Sequence, residues 1–172
     1  MNIFIKDDEN FYKNVKKYKD KNVSLKSDTT DLEKKQMIIA SNEKDLEKRY
    51  SYIYDIVCTY LDNEFKNKNL CCFENNRCIS VRNNGHCRES LNGCCYGTKR
   101  DLCKNFKDGR CTIKSISCKL FTCRYLKKQG VKYRVNDILL LKYFFNIKQK
   151  FIIQDSIFKD KDEIMKLLLE NK

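Results

Sequence analysis

Proline and tryptophan are absent from this chain of 172 residues, and histidine occurs once. That single residue, His86, excludes histidine-rich metal chemistry; beside Cys87 it reads first as a surface residue and second as a ligand. No Cys-x-x-Cys occurs. Structural zinc sites usually employ ligands two to four residues apart, because a tight turn aims both sulfurs at one ion, so a zinc ribbon or treble-clef knuckle is not expected. The Cys-x3-Cys-x2-Cys signature of radical S-adenosylmethionine enzymes is missing, as is any glycine-rich phosphate loop. No constellation of residues points to a nucleophile or a general base, so the reading leans away from an enzyme. No apolar run approaches the ~18–20 residues of a membrane span. The run Ile138 to Leu141, only four residues, ends at Lys142. The first residues, Met-Asn-Ile-Phe-Ile-Lys-Asp-Asp, form neither a basic n-region nor a long apolar h-region. The expected location is therefore the cytosol, where thiols stay reduced.

What the chain has in excess is cysteine. Ten of its eleven cysteines, at positions 71, 72, 78, 87, 94, 95, 103, 111, 118 and 123, lie in one stretch with four of its five glycines. The gaps between them are 0, 5, 8, 6, 0, 7, 7, 6 and 4 residues. Apolar residues there are too sparse for a self-sufficient core, so cross-links must do the ordering. Iron–sulfur ligation tolerates varied spacing. The vicinal pairs Cys71-Cys72 and Cys94-Cys95 suit a polymetallic arrangement, since adjacent side chains diverge and each sulfur can serve a different centre. Iron–sulfur is favoured over zinc. Disulfides remain a third reading, because ten is an even number and irregular gaps occur in stapled exported folds. Cys118-Lys-Leu-Phe-Thr-Cys123 comes nearest to a paired-ligand spacing.

The charge is +13, from 36 basic and 23 acidic residues. Such a balance suits an anionic partner, nucleic acid or a membrane face. Lysine, asparagine, isoleucine and tyrosine are all abundant, however, which is the residue usage of an AT-rich genome, and the lysines are scattered along the chain. Residues 71–124 hold eleven Lys/Arg and four Asp/Glu. Part of that local excess can stabilise thiolates, since a nearby cation lowers a cysteine's pKa.

The flanks read as helical. Phe11, Val15 and Tyr18 mark a short amphipathic helix within 8–20, followed by a polar loop over 20–30. Thr30 and Glu33 match a capping box. The strongest pattern spans about 43–66, where Leu46, Tyr50, Ile53, Val57 and Tyr60 run beside Tyr54, Cys58, Leu61 and Phe65. Cys58 lies on that face and reads as core packing before ligation. After Gly130, Asn136 or Asp137 can cap a helix bearing Ile138, Leu139, Leu141, Phe144 and Phe145. Residues 149–158 lean helical, and Asp160 with Glu163 opens a last helix with Ile164, Leu167 and Leu168 inward. The helical parts show no internal repeat.

The run Leu102-Cys103-Lys-Asn-Phe-Lys-Asp108-Gly109-Arg110-Cys111-Thr-Ile113, followed by Cys118-Lys119-Leu-Phe121, resembles the second half of the bacterial zinc- or iron-chelating CxxCxxCC cysteine-cluster proteins. Those carry a Cys-Cys pair, then a C-x-x-L-x-x-DGRC-x-I-like segment, then a Cys-Arg-x-Phe-like one. On this chain Cys94-Cys95 matches the pair, Cys87 the first cysteine, and Cys103, Cys111 and Cys118 the later ones. The resemblance covers about residues 87–123. The family's second cysteine falls near Ser90, the Arg-Pro before the later cysteine is missing, and the Cys111–Cys118 gap is shorter. The resemblance implies metal binding and little beyond it.

The expected fold is mainly α, with helices flanking an inserted, irregular, metal-ordered cysteine lobe. The divisions are 1–30 (short helix and polar loop), 31–69 (helical), 70–125 (cysteine-rich module) and 126–172 (helical, packing on the N-terminal helices). The foremost ligand candidates are Cys87, Cys94, Cys95, Cys103, Cys111, Cys118 and Cys123, followed by Cys71, Cys72 and Cys78. The expected function is a cytosolic metal-binding protein whose iron–sulfur or zinc centre is structural, carries electrons or handles metal. Other readings are a basic regulator that binds nucleic acid or protein and holds structural zinc, a disulfide-bonded exported protein, and a cluster-dependent modifying enzyme.

Overall fold

The computed structural model describes residues 2–26, 29–68, 73–74, 77–78, 105–107 and 110–172, and it is mainly helical. The chain opens with a β-α-β unit: β1 (Asn2–Ile5), α1 (Phe11–Tyr18) and β2 (Asn22–Leu25). The two strands pair in parallel, with Ile3 opposite Val23 and Ile5 opposite Leu25. Phe11 and Val15, one turn apart on α1, are both fully buried. Four residues of the stretch read as a polar loop over 20–30, Asn22–Leu25, thus form a strand. Its partners explain the difference. Val23 donates its N–H to Asn42 Oδ1 at 2.7 Å, and Asn42 Nδ2 donates to the Val23 carbonyl, also at 2.7 Å. The amide side chain stands in for the peptide group of a further strand, and that contact spans 19 residues of sequence.

Helix α2 (Leu32–Asn42) starts close to the predicted position, but Asp31 caps it, not Thr30. Asp31 Oδ1 accepts from Glu33 N at 3.0 Å and from Lys34 N at 3.2 Å. A carboxylate satisfies those free donors and also complements the positive end of the helix dipole, which a hydroxyl cannot do.

Helix α3 (Leu46–Asn67) is the spine. Tyr50, Ile53, Tyr54, Val57, Cys58 and Leu61 are buried along it, as the two rows of the sequence require; Tyr60, assigned to the same face, is exposed. Arg49 staples the break between α2 and α3. Only 3% exposed, it donates to the Glu43 carbonyl from Nε (2.8 Å), to the Lys19 carbonyl from Nη2 (3.3 Å) and to Asp20 Oδ1 from Nη1 (3.0 Å). One planar cation thereby satisfies the carbonyl just past α2 and one just past α1.

Two short antiparallel hairpins follow. In one, β3 (Phe73–Glu74) pairs with β4 (Arg77–Cys78), placing Phe73 opposite Cys78. In the other, β5 (Phe106–Lys107) pairs with β6 (Arg110–Cys111), placing Phe106 opposite Cys111. The chain then re-enters the body through α4 (Ile116–Leu120) and α5 (Arg124–Lys128). A 3-10 turn, Val135–Asp137, precedes α6 (Leu139–Phe144). Asp137 Oδ2 accepts the Arg134 N–H at 2.9 Å, so it closes that turn and does not cap α6 as expected.

Helices α7 (Ile147–Asp155) and α8 (Lys161–Glu170) complete the fold. The Asp160–Glu163 capping box forms as read, with both reciprocal bonds at 3.0 Å. Of the predicted inward residues of α8, Ile164 and Leu168 are fully buried and Leu167 partly so. Helix α3 packs against α4, α6 and α8, and α7 lies between α4 and α8. Tyr50 touches Phe145 ring to ring at 4.8 Å, and Gln149 Nε2 donates to Tyr50 Oη and to the Leu168 carbonyl. The core draws from residues 5–61 and 116–168. Among the described residues no helix is long and apolar enough to cross a membrane.

Candidate functional site

Of the ten candidate ligands, Cys71, Cys72, Cys87, Cys94, Cys95 and Cys103 lie outside the described residues, as do His86 and Ser90. Cys78 and Cys111 are placed by their backbone on β4 and β6. Cys118 and Cys123 sit on the segment that carries the chain from the cysteine stretch back into the helical body.

That segment is anchored from every side. Ser115 caps α4 by accepting the Cys118 N–H at 3.4 Å. Tyr54, on the spine, accepts the Ile116 N–H at its Oη at 3.0 Å. Ser117 Oγ donates to the Ile153 carbonyl of α7, and Lys119 pairs with Asp62 of α3. Asp55, one turn before Cys58, takes Lys161 of α8 at 2.8 Å and Lys114 at 3.6 Å. Ile116 and Leu120 fill the core beneath. Helices α3 and α7 therefore hold residues 115–120, and Cys118 is carried on that anchored backbone.

Cys118 is a free, half-buried thiol whose Sγ accepts the Phe158 N–H at 3.2 Å. Phe158 takes φ +67°, a conformation that a residue with a Cβ adopts at a cost, and in it the N–H meets the sulfur. Hydrogen bonds to ligating sulfurs are one of the means by which a protein tunes a cluster. Cys123 is buried. Cys58 is different. It is 3% exposed on the core face of α3, and burial pushes its thiol up to about 12, outweighing the Lys119 charge, which acts the other way. Its burial among apolar side chains fits the packing role read from the sequence. Tyr54 is likewise raised, chiefly by burial. Among the described residues no three His, Cys, Asp or Glu side chains gather as a metal cage.

The two hairpins share more than their size. Phe73-Glu-Asn-Asn-Arg-Cys78 and Phe106-Lys-Asp-Gly-Arg-Cys111 repeat Phe-x-x-x-Arg-Cys, with cysteine opposite phenylalanine and arginine opposite a charged residue in both. The signal was in the sequence, but the cysteine gaps hide it, because the repeat is keyed on Phe-to-Cys spacing and not on Cys-to-Cys spacing.

Comparison of the chain with family models, with curated proteins and with solved structures finds no match.

Proposed function

We propose that this chain is a metal-binding protein in which the cysteine stretch wraps an iron–sulfur centre, favoured over zinc, on a helical platform. The centre is structural, carries electrons or handles metal, and works in a reducing compartment such as the cytosol. The observation that carries the reading is the concentration of ten cysteines between Cys71 and Cys123, with a cysteine at the same pairing position of two like hairpins, Cys78 and Cys111. Cys118 adds a backbone donor already aimed at its sulfur. The ligand candidates are those of the sequence, with Cys58 left to the core. The resemblance to the CxxCxxCC proteins points the same way.

Anaerobic purification followed by elemental analysis and an absorption spectrum tests this. Brown protein containing iron and acid-labile sulfide is expected. Colourless protein with stoichiometric zinc replaces the cluster by zinc and keeps the metal. Metal-free protein whose ten thiols resist labelling until a reductant is added would mean disulfides and end the proposal.

A further inference from the structure

The lysines look scattered along the sequence; the fold gathers six of them. An open groove of about 920 Å³ lies where the first and last thirds of the chain meet. Lys16 reaches it from α1 and Lys19 from just past that helix, Lys142 from α6, Lys148 and Lys150 from α7, and Lys172 from beyond α8. With Arg49 these are seven cations against two acids, Asp20 and Glu170, and Asp20 is engaged by Arg49. Among the described residues none of Lys16, Lys142, Lys148 and Lys150 forms an ion pair. Folding brings like charges together here without supplying counter-charge, which costs free energy unless a ligand supplies it. The crowding registers on Lys150: burial first, then the charges of Lys16 and Lys142, lower its pKa from the ordinary lysine value.

We infer that this groove binds the phosphate backbone of single-stranded nucleic acid. Three observations favour that occupant. The groove is several times larger than one phosphate, and its lysines come from four separate segments, which suits a chain of phosphates. It is concave, with the lysines on its walls. Tyr143 lines it, stacked on Tyr12 with ring planes 8° apart and overlain by the Lys142 ammonium at 5.5 Å. Cations beside aromatic rings are the usual means of holding single strands. The site shares no residue with the cysteine stretch, so it stands whether or not a metal is present. Ile147 and Phe151, exposed one turn apart on α7, make a lipid surface the competing binder.

The test is fluorescence anisotropy with a labelled oligouridylate of about a dozen nucleotides, a length within the range of known single-strand sites. The matching oligodeoxythymidylate, free phosphate and anionic vesicles serve as alternative arms. Wild type is compared with a Lys16→Gln, Lys142→Gln, Lys150→Gln triple variant and with a Lys35→Gln, Lys127→Gln, Lys159→Gln control, whose residues are exposed and lie outside the groove. Each lost phosphate contact should reduce the salt slope by about 0.7, so the groove variant should lose about 2 units of slope and on the order of 100-fold in affinity near ~0.1 M salt. The control should bind like wild type. Equal losses in both variants, no oligonucleotide binding, or binding to vesicles alone would overturn the inference. Should the groove variant fail to fold, lysine acylation of the wild type decides: Lys16, Lys142 and Lys150 should be protected by the oligonucleotide, and unprotected lysines count against it.

Discussion

At the scale of single residues, burial sets Cys58 apart from Cys118. Cys58 has hydrophobic neighbours along α3 and keeps its proton. Its ordinary pKa is 9.0, and the fold raises it to about 12. The folded form therefore retains a proton that the unfolded chain releases. The stability this confers is complete below about pH 9 and is lost as the pH climbs toward 12. Tyr54 is raised as well, so it adds to the same alkaline loss. Urea unfolding at about pH 8 and about pH 10.5 should show the wild type losing more stability between the two than Cys58→Ala, which lacks the thiol. Parallel losses would show that Cys58 does not titrate in this window.

Elements differ in how far their sequences foretell them. Helix α8 was legible because everything it needs is local: Asp160 and Glu163 exchange bonds across three residues, and Ile164 and Leu168 fall on one face. Strand β2 was not legible. Two apolar residues among polar ones do not announce a strand, and its hydrogen bonds go to β1 and to Asn42, which local pattern cannot show. Helix α4, with five residues, is too short to stand alone and exists because Tyr54 and Ser117 tie it to α3 and α7. Asn42→Ala removes both bonds to Val23 and should cost about 1–2 kcal/mol, read from the urea midpoint. A loss concentrated in hydrogen exchange of residues 2–25 would locate it in the β-α-β unit. An unchanged midpoint would show that water replaces the amide at no cost.

At the scale of the molecule, the helical body has an apolar core of its own. Among the described residues the body's clustered core runs from Ile5 to Leu61 and from Ile116 to Leu168, and it takes in Cys58. Replacing the ten cysteines from Cys71 to Cys123 by serine should therefore abolish metal binding yet leave the far-UV helical signal and a cooperative melt in place. Loss of most helix would mean that the metal organises the whole chain. The buried Cys123 makes a modest fall in melting temperature the expected side effect.

Sequence alone determined the helical character, the α3 face, the α8 cap and the gathering of thiols in one stretch, because periodicity, capping and composition act over neighbouring residues. Only the tertiary structure decided that Asn42 completes a strand edge, that Arg49 closes two segment ends, that Cys118 receives a backbone donor from Phe158, and that lysines from opposite ends of the chain crowd one groove. Each of these joins residues distant in sequence, and a distance in space leaves no trace in the local pattern of either partner.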